Sequence, residues 1–241
     1  MTTGPAVGGG AFQPTLWTVV LRAKDPADPH RRTALNTLCE TYWAPVYVYL
    51  RHKGRSSEDA KDATQGFFAH FLELKALDRV ERGRGRFKNF LLALLEHYLA
   101  NEHRKANAEK RGGGAVPRSL DFARAETEVR IDPADPRTPE AAFRRSWSMA
   151  VLQDAFEKLR REFSAREAEF EAVRIHLFAG AQRPTHAAIA ERLGLPLTDV
   201  ANLLHRSRKR LREIIRSILR EAVDSDEDLD GEVAEFFASF E

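Results

Sequence analysis

Asp199, Asn202, His205 and Arg206 follow one another at spacings of three, three and one. On a helix these spacings gather a carboxylate, an amide, an imidazole and a guanidinium on one side. The amide offers a donor and an acceptor side by side, and the guanidinium a planar fork of donors. That chemistry suits the edges of nucleic-acid bases, Asn for adenine and Arg for guanine. Arg208, Lys209 and Arg210 come next, and their charges suit phosphates, which position a duplex without specifying its sequence. For each late arginine the plainer alternative is a solvated or ion-paired helix face.

An element must hold those side chains outward. The stretch "ERLGLPLTDVANLLHRSRKRL", Glu191 to Leu211, reads as the end of one helix, a turn and a second helix. Thr185, after Pro184, stands where an N-cap belongs. Ile189 and Leu193 lie one turn apart and should face a core. Ala190 is small enough to let a second helix approach, and Gly194 accepts a left-handed backbone easily. Leu195 is expected inward, Thr198 as the cap of the second helix, and Val200 and Leu203 as its buried stripe. This spacing predicts a helix-turn-helix, whose steep crossing leaves little room between the helices. An ordinary helical hairpin is the alternative. Seven Lys or Arg residues against one Glu between Arg206 and Arg220 weigh toward a polyanion partner.

The whole composition supports an all-α chain with a core: 43% of the 241 residues are hydrophobic, and Ala, Leu, Arg and Glu dominate over strand formers. The net charge of +2 conceals an asymmetry. Nine acidic and no basic residues fall between Glu221 and Glu241, leaving 38 basic against 27 acidic residues before them. The lone Cys39 forms no internal disulfide, no secretory leader is visible, and no apolar run approaches a membrane span, so a cytoplasmic chain is expected. Gly-rich phosphate loops, metal-spaced His or Cys pairs and nucleophile motifs are not found in the sequence, which argues against an enzyme, a cofactor or a metal.

Helical periodicity begins near Leu16 and returns from Arg32 to Arg51 despite Pro45. Ser56 or Ser57 can cap a further helix to about Leu77, with Glu58 and Asp59 in its first turn. A third long helix follows from Phe87 to about Lys110, and helices resume from Glu140 to about Val223, with breaks near Ser164 and Gly180. The Gly- and Pro-rich stretch 112–139 reads as a linker. Two helical domains are expected, at 15–111 and 140–223, with a loose segment at 1–14 and an acidic tail at 224–241. In "SSEDAKDATQGFFAHFLE" the residues Ala60, Ala63, Phe67, Phe71 and Leu74 form one buried face. Lys61, Gln65, Phe68 and Leu72 form a second strip, which suits either a partner or another helix of the same domain.

"ALNTLCETYWAPVYVYLRHKGRSSEDAKDATQGFFAHFLE" resembles region two of bacterial RNA polymerase sigma factors of the extracytoplasmic-function group, and "LHRSRKRLRE" in its helix-turn-helix resembles their region four. The resemblance implies a protein that binds core RNA polymerase and directs it to promoter DNA. Region two would dock on the polymerase through Asp59, Lys61, Asp62, Gln65, Phe68 and Leu72. It would also read and open the −10 element through "ERGRGRFKNFLLALLEHYLANEHRKA". Arg82, Arg84 and Arg86 then suit the melted backbone, and Phe87, Lys88 and Asn89 a pocket for an extruded base, although core packing competes for Phe87. Asn101, Arg104, Lys105, Lys110 and Arg111 extend that basic surface. Region four would read the −35 element through Thr198 to Arg210.

Two departures from the family pattern stand out. Lys61 and Gly66 replace expected acids, which would weaken docking, and Thr64 beside them is either a boundary packing residue or a phosphosite that would restore negative charge. The resemblance to acid-poor members of the family implies a Ser/Thr kinase or an anti-sigma protein as a further partner. Ala201 and Leu203 stand where the family often has Lys or Arg, leaving Asn202, His205 and Arg206 as the better base contacts. In the tail, Val233, Phe236, Phe237 and Phe240 mark one face of a short helix. It is expected either to fold back on the recognition helix or, by slight preference, to pack beside region four. A stand-alone helix-turn-helix regulator is the alternative function.

Overall fold

The helical periodicity is borne out in a computed structural model, which describes residues 17–73, 77, 87–106, 136–223 and 226–241. Among these residues there are nine α-helices and no strand. The segment 1–16, the residues 74–76 with Leu74, the residues 78–86 with Arg82, Arg84 and Arg86, and the whole of 107–135 with Lys110 and Arg111 lie outside the described residues. No described helix is long and apolar enough to cross a membrane.

The helices are α1 (Trp17–Lys24), α2 (Arg31–His52), α3 (Ser57–Glu73), α4 (Phe87–Ala106), α5 (Pro139–Phe163), α6 (Glu167–Phe178), α7 (His186–Leu193), α8 (Leu197–Arg220) and α9 (Asp226–Ala238). The chain divides into two compact units, Met1–Ala150 with Leu219–Glu241, and Val151–Ile218. Composition placed the division at the Pro- and Gly-rich stretch and assigned 140–223 to one domain. By contact it falls inside α5 and inside α8, and the tail belongs with the first unit.

In the first unit α2 is the central helix. Val46, Tyr47, Val48, Tyr49 and Leu50 are all buried in succession, which a helix achieves only when covered on every side. The end of α1 is tied to it by the Arg31 Nε–H, donated to the Ala23 carbonyl at 3.2 Å. Ser56 starts α3: its Oγ accepts from the Asp59 N–H at 3.1 Å and donates to the Asp59 carboxylate at 2.7 Å, a reciprocal cap. α5 opens with Pro139 in its first turn, behind a Thr138 hydroxyl that accepts from the Ala141 N–H at 3.2 Å.

In the second unit Ser164, with φ at +32°, ends α5, and Gly180, with φ at +51°, follows α6. Both breaks lie where the sequence places them. The core there is Val151, Ala155, Leu159 and Phe163 of α5, Phe170 and Val173 of α6, Ile189 of α7, and Val200, Leu204 and Leu211 of α8.

Candidate nucleic-acid interface

The turn between α7 and α8 is built as its residue types require. The Thr185 Oγ1 accepts from the Ala188 N–H at 3.2 Å, capping α7. Gly194 is left-handed, with φ at +65° and ψ at +31°. Its N–H reaches the Glu191 carbonyl at 3.4 Å, and the Leu195 N–H reaches Ala190 at 3.1 Å, a Schellman closure of the helix end. α8 then begins at Leu197, with the Pro196 carbonyl accepting from Asp199 and Val200. Thr198 is therefore inside the first turn and exposed, rather than at the cap position expected of it.

The buried stripe of α8 is Val200, Leu204, Ser207 and Leu211, at spacings of four, three and four. This corrects the expected stripe through Leu203, which is half-buried and lines a groove with Asp199, Arg206 and Arg210. Opposite the stripe, Asp199, Asn202, His205, Arg206 and Lys209 are exposed, and Arg208 is half-buried. The Arg206 Nε–H donates to the Asn202 carbonyl at 3.3 Å, which lays the guanidinium along the helix surface.

Arg210 differs from its expected role as a phosphate ligand. Its Nε and Nη2 donate to the Glu162 carboxylate at 2.7 to 3.0 Å, and Nη1 to Glu213 at 3.2 Å. Those bonds raise the guanidinium pKa and hold Glu162 below the usual carboxylate range. A guanidinium already engaged by two carboxylates has less to offer a phosphate than Lys209 beside it.

In the first unit, the start of α4 departs further from expectation. Phe87 is buried, its ring edge-on to Tyr42 at 5.4 Å, so it is a core residue. Asn89 is exposed, as a base-facing amide requires. Lys88, expected to face an extruded base, is only 4% exposed. Its Nζ lies 2.6 Å from Glu232 Oε1 and 3.3 Å from Glu235 Oε1, both on α9, and 4.5 Å from the centre of the Trp147 ring. The tail helix therefore packs at the start of α4, within the first unit. It also meets the start of α5, where Arg144 lies 3.3 Å from Glu235, and the end of α8, where Arg220 lies 3.3 Å from Asp226, so the expected packing beside the stretch 140–223 is observed at those residues, together with the unexpected contact to Lys88. Farther along α4, Asn101 is half-buried, its Nδ2 3.1 Å from His97 Nδ1. Only the backbone of Arg104 and Lys105 is described.

The α3 strip is only partly a surface. Asp59 and Asp62 are exposed, Lys61, Gln65 and Leu72 are half-buried, and Lys61 Nζ meets Glu58 at 3.1 Å. Phe68 is fully buried, edge-on to Phe67 at 5.2 Å and to Phe71 at 6.3 Å. It is a correction to the expected strip: the ring turns into the aromatic cluster because six aromatic carbons gain more there than on a polar face. Thr64 is also fully buried, its hydroxyl donated to the Ala60 carbonyl at 2.7 Å. A kinase has no access to that hydroxyl while α3 is packed. Gly66 has an internal cause, since a Cβ built there would lie 2.6 Å from the Tyr98 hydroxyl.

Trp147, Arg144 and Glu232 are the residues that sequence reasoning missed. No spacing rule pairs Lys88 with a carboxylate 144 positions away, and the indole beneath the ammonium comes from a third helix. No protein-family model, curated protein or solved structure matches the chain.

Proposed function

We propose that this chain is a sigma-type initiation factor that joins core RNA polymerase and selects promoter DNA. One observation carries the reading above the others. α7 and α8 form a capped helix-turn-helix whose outward face presents Asp199, Asn202, His205, Arg206 and Lys209, opposite a continuous buried stripe. An amide and a guanidinium on a helix that can enter a major groove supply base readout, and Lys209 supplies phosphate contact. Asp59, Lys61, Asp62, Gln65 and Leu72 are the residues of α3 still available to polymerase, and Asn89 is the one available at the start of α4.

The burial of Phe68 favours a second reading, a helix-turn-helix regulator that acts alone, because it removes the aromatic member of the proposed docking strip. Co-elution on gel filtration separates the two. A sigma-type factor shifts to the elution volume of purified core polymerase, and Asp59→Arg with Asp62→Arg weakens the shift. A chain that binds duplex DNA but never moves with polymerase supports the lone regulator.

A further inference from the structure

We infer that α9 is an internal competitor for single-stranded nucleic acid at the start of α4. The surface formed by Lys88, Arg144, Arg145 and Trp147 holds either the acidic helix or a strand, and not both. The inference deepens the reading just given, since it names a regulation of the surface assigned to the −10 element.

The helix is built as a polyanion. Asp226, Glu227, Asp228, Asp230, Glu232 and Glu235 lie within its 13 residues, with no cation among them. Two of its carboxylates reach the cations of the first unit. Glu232 and Glu235 both meet Lys88, and Glu235 also accepts from Arg144 Nε at 3.3 Å. Arg145 donates to the Ser239 carbonyl at 2.8 Å, and its guanidinium lies 5.4 Å from the centre of the Phe240 ring. A lysine lying over an indole, with two arginines nearby, is the combination that grips a phosphate and an adjoining base.

The energetics favour exchange over a permanent clasp. Lys88 and Glu232 are 4% and 2% exposed at their side chains, so desolvation offsets most of their mutual attraction. A pair of apolar residues would hold the helix at least as firmly. What the charges add is interchangeability, because a phosphate can replace a carboxylate on the ammonium group. Trp147 Nε1 is buried and has no hydrogen-bond acceptor among the described residues, which further weakens the closed arrangement. Apolar contact by Leu229 and Phe236, both buried, gives α9 its place when no strand competes.

The test uses the full chain without polymerase and a labelled oligothymidylate of about 20 nucleotides, read by fluorescence anisotropy at low salt. The double variant Glu232→Gln with Glu235→Gln is expected to bind the strand about tenfold more tightly than the natural chain, the gain that corresponds to a site closed about nine-tenths of the time. Adding Lys88→Gln to that variant removes the gain. Hydrogen exchange on the natural chain decides the matter even if the double variant loses its helical circular dichroism. Saturating oligothymidylate should speed exchange at the α9 amides and leave α2 unchanged. Equal binding by both chains, a gain that survives Lys88→Gln, or α9 exchange indifferent to the strand would each overturn the inference. Such a failure leaves co-elution with polymerase untouched, and loss of co-elution leaves this competition intact.

Discussion

The Thr64 hydroxyl and the missing side chain at Gly66 are two sides of one packing problem on α3. Thr64 has no exposed surface and spends its hydrogen on the carbonyl one turn back. A carboxylate there would be buried without a cation, so Thr64→Glu is expected to destabilise the fold by about 3 kcal/mol or more. Thr64→Ala, which loses one hydrogen bond and leaves one carbonyl to its helix partner, should cost about 1 kcal/mol. Urea unfolding of both variants reads this, and a Thr64→Glu protein as stable as the natural one would contradict the burial. Gly66 leaves room for the Tyr98 hydroxyl, 2.6 Å from where a Cβ would stand. Gly66→Ala should therefore lower stability by roughly 1–3 kcal/mol through overpacking. Combining it with Tyr98→Phe, which deletes the oxygen in the way, should recover more than half the loss. A purely additive pair would disprove the clash. The acid-poor pattern of α3 thus has a local steric cause at Gly66, and the apolar spacing alone could not reveal it, since Tyr98 arrives from another helix.

At the scale of elements, α7 and α8 were the most legible part of the chain. Their start and turn depend on residues close in sequence: Thr185 caps three residues ahead, and the N–H groups of Gly194 and Leu195 close a helix on carbonyls three and five residues behind them. Which face of α8 is buried was less legible, because Leu203 and Leu204 are adjacent and either continues an apolar stripe from Val200. Leu204 is the one that is buried, and Leu203 is half-buried. Arg210 was misplaced for a similar reason, since its partner Glu162 lies 48 positions away on α5. The outcome sets an order among the cations. Asn202→Ala and Arg206→Ala should each cost about 1–3 kcal/mol of duplex binding and relax preference at one base pair. Arg210→Ala should change duplex affinity far less and cost stability under about 1 kcal/mol, as an exposed ion pair does. Anisotropy titrations on a selected duplex check the ranking, and Arg210→Ala weakening binding as much as Arg206→Ala would reverse it. Below the same helices lies a proton-sensitive group. Burial lowers the pKa of His176, against the opposing effect of the Pro184 carbonyl, and Arg183, His186 and Arg208 push it further down. The unfolded imidazole takes up its proton near its ordinary pH of about 6.5, and the folded one only at lower pH. Stability from this residue is therefore complete above that value and declines as the pH falls below it, until the folded group also protonates. The thermal midpoint should be lower at pH 5.5 than at pH 7.5, and the difference smaller in His176→Asn. An equal difference in both proteins would assign the acid sensitivity elsewhere.

For the whole molecule, charge is the organising quantity. A basic body and an acidic end were evident from the sequence, and so was the helical character of both. The contact of the acidic end with Lys88 was not, because that lysine also fits a nucleic-acid role, and composition cannot distinguish a lysine facing solvent from one facing glutamate. The helix-turn-helix face is what supports the proposed factor, one that would read duplex edges there and a melted strand elsewhere. The most direct measurement is run-off transcription with purified core RNA polymerase on a library of randomised promoters. Transcripts should start at a shared sequence only when this chain is added, and the Asn202→Ala, Arg206→Ala double variant should lose the upstream part of that sequence preference. Transcript starts that are the same with and without the chain, under conditions where it binds the same DNA, would contradict the account.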